Sequence, residues 1–167
     1  MTQNEVELAE KLSKESHQGQ KYGSHDYFDY FDYFDYFDYF DYFDYFDYFD
    51  YHIKGVVNSL IKHRFSQIYI ITALLHDTVE DTPLTLDKIE SLFGKEVRDA
   101  VDALTKRETE TREEYLIRCS LNPIARVVKL HDAAFNAHNS HKDNNHSRVD
   151  YYLQTMLIVS TAQDRLG

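Results

Sequence analysis

Outside residues 26–51, apolar side chains recur along this chain at helical spacing, and no segment shows the alternation of a half-buried strand. Ile53, Val56, Val57, Leu60 and Ile61 stand at i, i+3, i+4, i+7 and i+8, one face of a helix that begins near His52. Val6, Leu8, Ala9 and Leu12 mark an opening helix that runs to about His17 and stops at Gly19. Ser66 is placed to cap a helix carrying Ile68, Ile71, Leu74 and Leu75 into His76-Asp77. Thr82-Pro83 ends it, because the residue before a proline is pushed out of the helical region. Shorter helices are predicted over 85–94, 97–104 and 112–120, a buried one from Asn122-Pro123 through Ile124, Val127, Val128, Leu130 and Ala134, and a last one over 149–164. The polar run 137–148, rich in Asn, His and Ser, reads as a loop. The pattern predicts an all-α fold.

Residues 26–51 break this pattern. They are eight copies of Asp-Tyr-Phe followed by Asp50-Tyr51. A three-residue repeat matches neither a helix nor a strand, so aspartate is smeared over every face of either. The tract reads as an extended or flexible low-complexity insertion, with a helix running back from His52 as the alternative. It holds 9 of the 29 acidic residues, so the net charge of −11 belongs mostly to it, and the remainder is nearly neutral at 20 acidic against 18 basic side chains.

That remainder has the size of a single domain over residues 1–167 interrupted by the tract. Without a basic stripe it offers no footprint for a nucleic-acid duplex. Its longest apolar stretch, 68–75, is far short of the roughly 20 residues that span a bilayer, so no membrane is expected. Cys119 is the only cysteine, which excludes a disulfide framework and a thiolate metal cluster and fits a reducing, cytoplasmic setting. Seventeen aromatics in 26 residues make self-association through the tract a possible partner mode.

His76-Asp77-Thr78-Val79-Glu80-Asp81 directly follows the most apolar run. On a continuous helix, His76, Asp77, Glu80 and Asp81 would share one face, and three carboxylates so close call for a cation among them. Asp132 and Asn136 stand at i, i+4 on a helix predicted to be buried, where a carboxylate needs a partner or a metal. Taken singly, each also fits a solvated helix end, and His52 fits a surface or capping histidine. Together His52, His76, Asp77 and Asp132 form a two-nitrogen, two-oxygen set suited to Mn²⁺, with Fe²⁺ or Zn²⁺ as alternatives, and Glu80-Asp81 lie close enough to serve a bound water. His17, His63 and His131 read as surface or core-edge residues.

His52, then His76-Asp77 with Glu80-Asp81, then Asp132 in Lys129-Leu130-His131-Asp132-Ala133-Ala134-Phe135-Asn136, resembles the HD-domain metal-dependent phosphohydrolases, and in particular the hydrolase domain of RelA/SpoT-type enzymes. The resemblance implies a compact multi-helix HD fold, Mn²⁺ and removal of the 3′-pyrophosphate from ppGpp or pppGpp. It implies metal ligation by His52, His76, Asp77 and Asp132, service of the attacking water by Glu80 and Asp81, and nucleotide contacts from Ser24 and Asn136. Two departures stand out. Where the family carries a basic Arg-Lys-Ser-Gly segment, this chain reads Tyr22, Gly23, Ser24 and His25, and Ala133-Ala134-Phe135 replace basic text after Asp132. Seven copies of the repeat are surplus to the family's spacing. A different nucleotide or phosphate ester, or an inactive, nucleotide-sensing or assembling protein, are the alternatives these departures raise.

Overall fold

A computed structural model describes residues 1–22 and 46–162. The predicted helices form from the signals that predicted them. Helix α1 (Gln3–Ser16) opens on a capping box, in which Thr2 accepts from the Glu5 amide while the Glu5 carboxylate takes the Thr2 amide. It ends at His17, and Gly19 turns the chain with φ of 82°. Two residues of β1 (Lys21–Tyr22) pair antiparallel with β2 (Phe46–Asp47), in the register Lys21 opposite Asp47 and Tyr22 opposite Phe46. This short ladder leaves no mark in the sequence, because two residues are too few to show alternation. It brings together the two ends of the segment 23–45. The interior of the tract, and with it the expected self-association and Ser24, lies outside the described residues.

The last copy of the repeat is not loop. A π-helical turn, Phe49–Ile53, leads into α2 (Lys54–Lys62), so the helix starts three residues before His52. Asp47 takes the Phe49 and Asp50 amides at 2.9 and 3.3 Å, and Phe49 is fully buried in the core. The central helix is α3 (Gln67–Leu75), in which every residue from Ile70 to Leu75 is buried. It packs against α1, α2, α6 (Lys95–Leu104) and α8 (Pro123–Lys142). Ser66 occupies its N-cap without a capping bond from its side chain. Between these run α4 (Thr78–Asp81), α5 (Leu86–Phe93), capped by Thr85, and α7 (Arg112–Leu121), opened by a second capping box at Thr111.

Two predicted boundaries are corrected. The run 137–148 is mostly helix: α8 continues to Lys142, α9 (His146–Thr161) begins at His146, and the turn between them is short, with Asn144 at φ of 55°. Its polarity misled because Asn139 and Ser140 are buried polar residues rather than solvated ones, where α8 and α9 pack along each other. His17, read as a surface or core-edge residue, is fully buried, and its Nδ1 lies 2.8 Å from the Gln20 side-chain oxygen. No helix among the described residues is long and apolar enough to cross a membrane.

Candidate metal centre

The break between α3 and α4 builds the centre. The Thr78 hydroxyl donates to the Leu75 carbonyl at 2.7 Å, and Asp77 leaves the ideal helical geometry (φ −102°, ψ −4°) to start α4. Pro83 then holds Thr82 extended. Asp77, Glu80 and Asp81 line one cleft, and the Asp81 amide donates to the Asp77 carbonyl at 2.9 Å across one helical turn. His76 and Asp77 turn inward, while Glu80 and Asp81 are exposed at the rim, with Glu80 accepting the Lys106 amide at 3.0 Å.

His76 is 1% exposed. Its Nδ1 lies 2.7 Å from the Ala73 carbonyl, which can only accept, so Nδ1 carries a proton and the ring, once neutral, presents its lone pair at Nε2. That Nε2 is buried without an aligned hydrogen-bond partner, 3.1 Å from Asp77 Oδ2 and 3.9 Å from Asp132 Oδ1. His52, delivered by the π-helical turn, is 3% exposed and brings its Nε2 to 3.4 Å from both carboxylates. His52, His76 and Asp132 each offer an atom within 4.8 Å of the other two, and Asp77 touches both imidazoles. Two imidazoles whose Nε2 atoms face carboxylate oxygens are a donor set that fits a divalent ion.

Each carboxylate is itself held. Asp132 Oδ2 takes the Lys129 ammonium at 2.8 Å, and Oδ1 takes the Asn136 amide at 2.6 Å. Asn136 in turn accepts the Tyr22 hydroxyl at 2.5 Å, and Tyr22 stacks on His52 with centroids 5.2 Å apart and planes 8° from parallel. The Tyr48 hydroxyl donates to Asp77 Oδ2. Phe135 lies edge-on to His52 at 5.6 Å, filling the space over Gly55, where a Cβ would come within 2.2 Å of its ring.

Electrostatics follows from this packing. Burial disfavours charge on His52, but the bonds and charges of Asp132 and Asp77 outweigh it and raise the imidazole to about 9. Burial pushes Asp132 and Asp77 up, and the cations around them win: Lys129 and His52 hold Asp132, and His76 and His52 hold Asp77, well below the usual carboxylate range. Asp81 moves the other way, raised by desolvation and by the neighbouring Asp77 and Glu80. Burial pushes the Tyr22 hydroxyl up to about 12, and burial with the charge of Asp77 lifts Tyr48 far above the normal phenol range, so both remain donors.

A cleft of about 480 Å³ opens over the centre. Few cations stand beside the ligand candidates in sequence, yet Lys106, Arg112 and Arg148 reach this cleft from the α6–α7 loop, α7 and α9. Arg112 is engaged with the Tyr151 carbonyl at 2.7 Å and the Thr155 hydroxyl at 2.6 Å, and Arg148 bonds the Tyr152 hydroxyl at 3.1 Å. The i, i+4 spacing of Arg148 and Tyr152 was a readable signal that the loop assignment concealed. Nothing in the sequence around Arg112 marked it.

Among the described residues, a helical bundle that converges two buried histidines and an aspartate on one point defines a helical domain with a candidate site for a divalent metal. The chain belongs to the HD-domain family, whose profile matches residues 47–165. It is 29% identical over 125 residues to a probable GTP pyrophosphokinase of Mycobacterium leprae, covering 70% of this chain and 16% of that protein. It is 39% identical over 74 residues to the mouse guanosine-3′,5′-bis(diphosphate) 3′-pyrophosphohydrolase MESH1, 41% of each chain. The matches thus span less than half the length of these curated relatives. A solved structure described as a metazoan ortholog of SpoT that hydrolyses ppGpp shares the fold, with a TM-score of 0.67 at 16% identity over all of this chain and 98% of that one.

Proposed function

We propose that this protein is a Mn²⁺-dependent phosphohydrolase that removes the 3′-pyrophosphate from ppGpp-like nucleotides. The observation that carries the reading is the convergence of the His52 and His76 Nε2 atoms with Asp77 and Asp132, with the His76 tautomer set by Ala73. The MESH1 and SpoT names of its relatives supply the substrate class. His52, His76, Asp77 and Asp132 would hold the ion, which when bound supplies Lewis acidity and a water acidic enough to attack phosphorus at neutral pH. Fe²⁺ and Zn²⁺ fit the same donors.

The chain's own residues do the rest. Asp81, with its raised proton affinity and its place at the rim, is suited to accept the proton of the attacking water. Glu80 is fixed by the Lys106 amide on one oxygen and keeps the other for orienting that water. Lys106 and Arg148 line the cleft where phosphates would lie, and Tyr22 and Tyr152 give flat faces for a base. Asn136 is already bonded to Asp132 and Tyr22, so its first task is to hold Asp132, and contact with a nucleotide requires the Tyr22 hydroxyl to yield. Ser24 remains a proposed substrate contact. We read residues 1–167 as one hydrolase domain, cytoplasmic in setting, interrupted by the 26–51 tract.

The test is direct. Purified protein loaded with Mn²⁺ is offered ppGpp, pppGpp, other nucleotides and simple phosphate esters, and pyrophosphate and phosphate release are followed. Turnover of ppGpp is expected, and Asp77→Ala should abolish both metal binding and turnover. Tyr22 in place of a basic residue favours one second reading, a different nucleotide or phosphate ester, which the same panel would reveal. With metal bound, no turnover of any compound overturns the enzyme, and tight binding without turnover leaves a sensor.

A further inference from the structure

The last Asp-Tyr-Phe copy, residues 47–49, is as closely built into the protein as any helix. Its three residues do three different things. Asp47 takes the first two free amides of the π-helical turn. Phe49, with no exposed surface, anchors that turn in the core. Tyr48 stands between them with its backbone amide on the Gln20 carbonyl at 3.1 Å and its ring 5.1 Å from both His17 and His52. Held at the main chain and at the ring, it aims its hydroxyl at Asp77 Oδ2. That is the oxygen facing the Nε2 atoms of both histidines.

We infer that Tyr48 is a positioning residue for the metal centre: it holds Asp77 so that one carboxylate oxygen faces both imidazoles. The inference rests on the metal-centre reading above. Asp77 needs such a partner. It sits at a break between helices, where regular helical geometry does not fix its direction. Asp132 receives its orientation from Lys129 and Asn136, and among the described residues the Tyr48 hydroxyl does the corresponding work for Asp77. Donors to metal-binding carboxylates typically contribute 10- to 100-fold in affinity. A second consequence comes from the repeat. All eight copies are identical, so a gain or loss of copies always leaves an Asp-Tyr-Phe immediately before Asp50-Tyr51-His52. Copy number can change without removing the tyrosine from Asp77.

The experiment is titration of the substrate-free full chain with Mn²⁺, by calorimetry or by the electron paramagnetic resonance of the free ion. The wild type is compared with Tyr48→Phe and Tyr51→Phe. Tyr48→Phe keeps the ring and its packing and loses only the hydroxyl, so circular dichroism should be unchanged while Mn²⁺ affinity falls about tenfold or more. Tyr51→Phe loses a hydroxyl that donates to Asn139 at 2.9 Å, away from the four candidate ligands, and should bind Mn²⁺ like the wild type. Equal affinity in Tyr48→Phe and wild type overturns the role of Tyr48 and leaves the metal centre standing, as does an equal loss in both variants. No Mn²⁺ binding by the wild type overturns the metal centre and this inference together.

Discussion

Lys129 donates its ammonium to Asp132 Oδ2 at 2.8 Å from one turn back on α8, and both side chains are largely withdrawn from solvent. This pair leaves Oδ1 as the oxygen that faces His52 and His76. Lys129→Met would keep the bulk and remove the charge, stranding a buried carboxylate at a cost of about 3 kcal/mol. For a protein of this size that lowers Tm by roughly 6–12 °C. The site also becomes more negative, so added Mn²⁺ should raise the Tm of the variant more than that of the wild type. Thermal scans with and without Mn²⁺ measure both.

The stability of the metal-free protein should fall on the alkaline side of neutrality. His52 is raised to about 9 in the folded state from an ordinary value of 6.5, so its ionic contribution is complete below pH 6.5 and lost as pH rises through about 9. The shift corresponds to about 3 kcal/mol. Asp77 and Asp132, held low, give the acid limb: their contribution is present above about pH 4 and lost as pH falls through their folded values. These are two views of one interaction and are counted once. Mn²⁺ affinity should rise over the interval in which apo stability falls, because ligation needs neutral imidazoles. Chemical denaturation of metal-free protein from pH 5 to 9, against Mn²⁺ titrations over the same range, checks the opposite signs.

Deleting residues 26–46, seven copies of the repeat, should stabilise the fold. The ladder pairs Tyr22 with Phe46 across residues 23–45; after deletion His25 precedes Asp47 and only Gly23-Ser24 separate the paired positions. A two-residue loop with glycine first is a favoured hairpin turn. Shortening the closed segment from 23 residues to two lowers loop-closure cost by about 2 kcal/mol. Guanidinium unfolding should show a higher midpoint, with Mn²⁺ affinity unchanged because Tyr48 and Phe49 remain. Size-exclusion of the two forms reports whether the copies drive self-association.

Gly55 is the point where α2 meets α8. A Cβ there would lie 2.2 Å from the Phe135 ring, so Gly55→Ala should cost about 1–3 kcal/mol from overpacking, partly offset by the roughly 1 kcal/mol that alanine gains in a helix. Because Phe135 also faces His52, Mn²⁺ affinity should fall with Tm. The double variant with Phe135→Leu should recover both.

The site was legible in the sequence to the extent that chemistry is tied to residue type. His52, His76 and Asp132 were singled out as ligands by type and position, and they do converge, with Asp77 against both histidines. What surrounds them was not legible. Tyr22 and Tyr48 looked like a lost basic residue and one repeat among eight, yet each hydroxyl ends on the ligand network. Arg112 gave no signal because it comes from a helix distant in sequence from the ligands. The burial of His76 beside the exposure of Glu80 and Asp81 was not legible either, since it depends on what packs over each.

The sequence alone determined the all-helical class, through apolar residues at helical spacing, and the identity of the candidate ligands, through residue type. Tertiary structure decided which oxygen of each aspartate faces the imidazoles, which cations reach the cleft, and that the final copy of a low-complexity tract belongs to the folded centre. The physical reason is range. Helical period and capping act over three or four residues and can be read from neighbours. The contacts of Tyr48 with Asp77 and of Tyr22 with Asn136 join residues 29 and 114 positions apart, and they exist only once the core has closed.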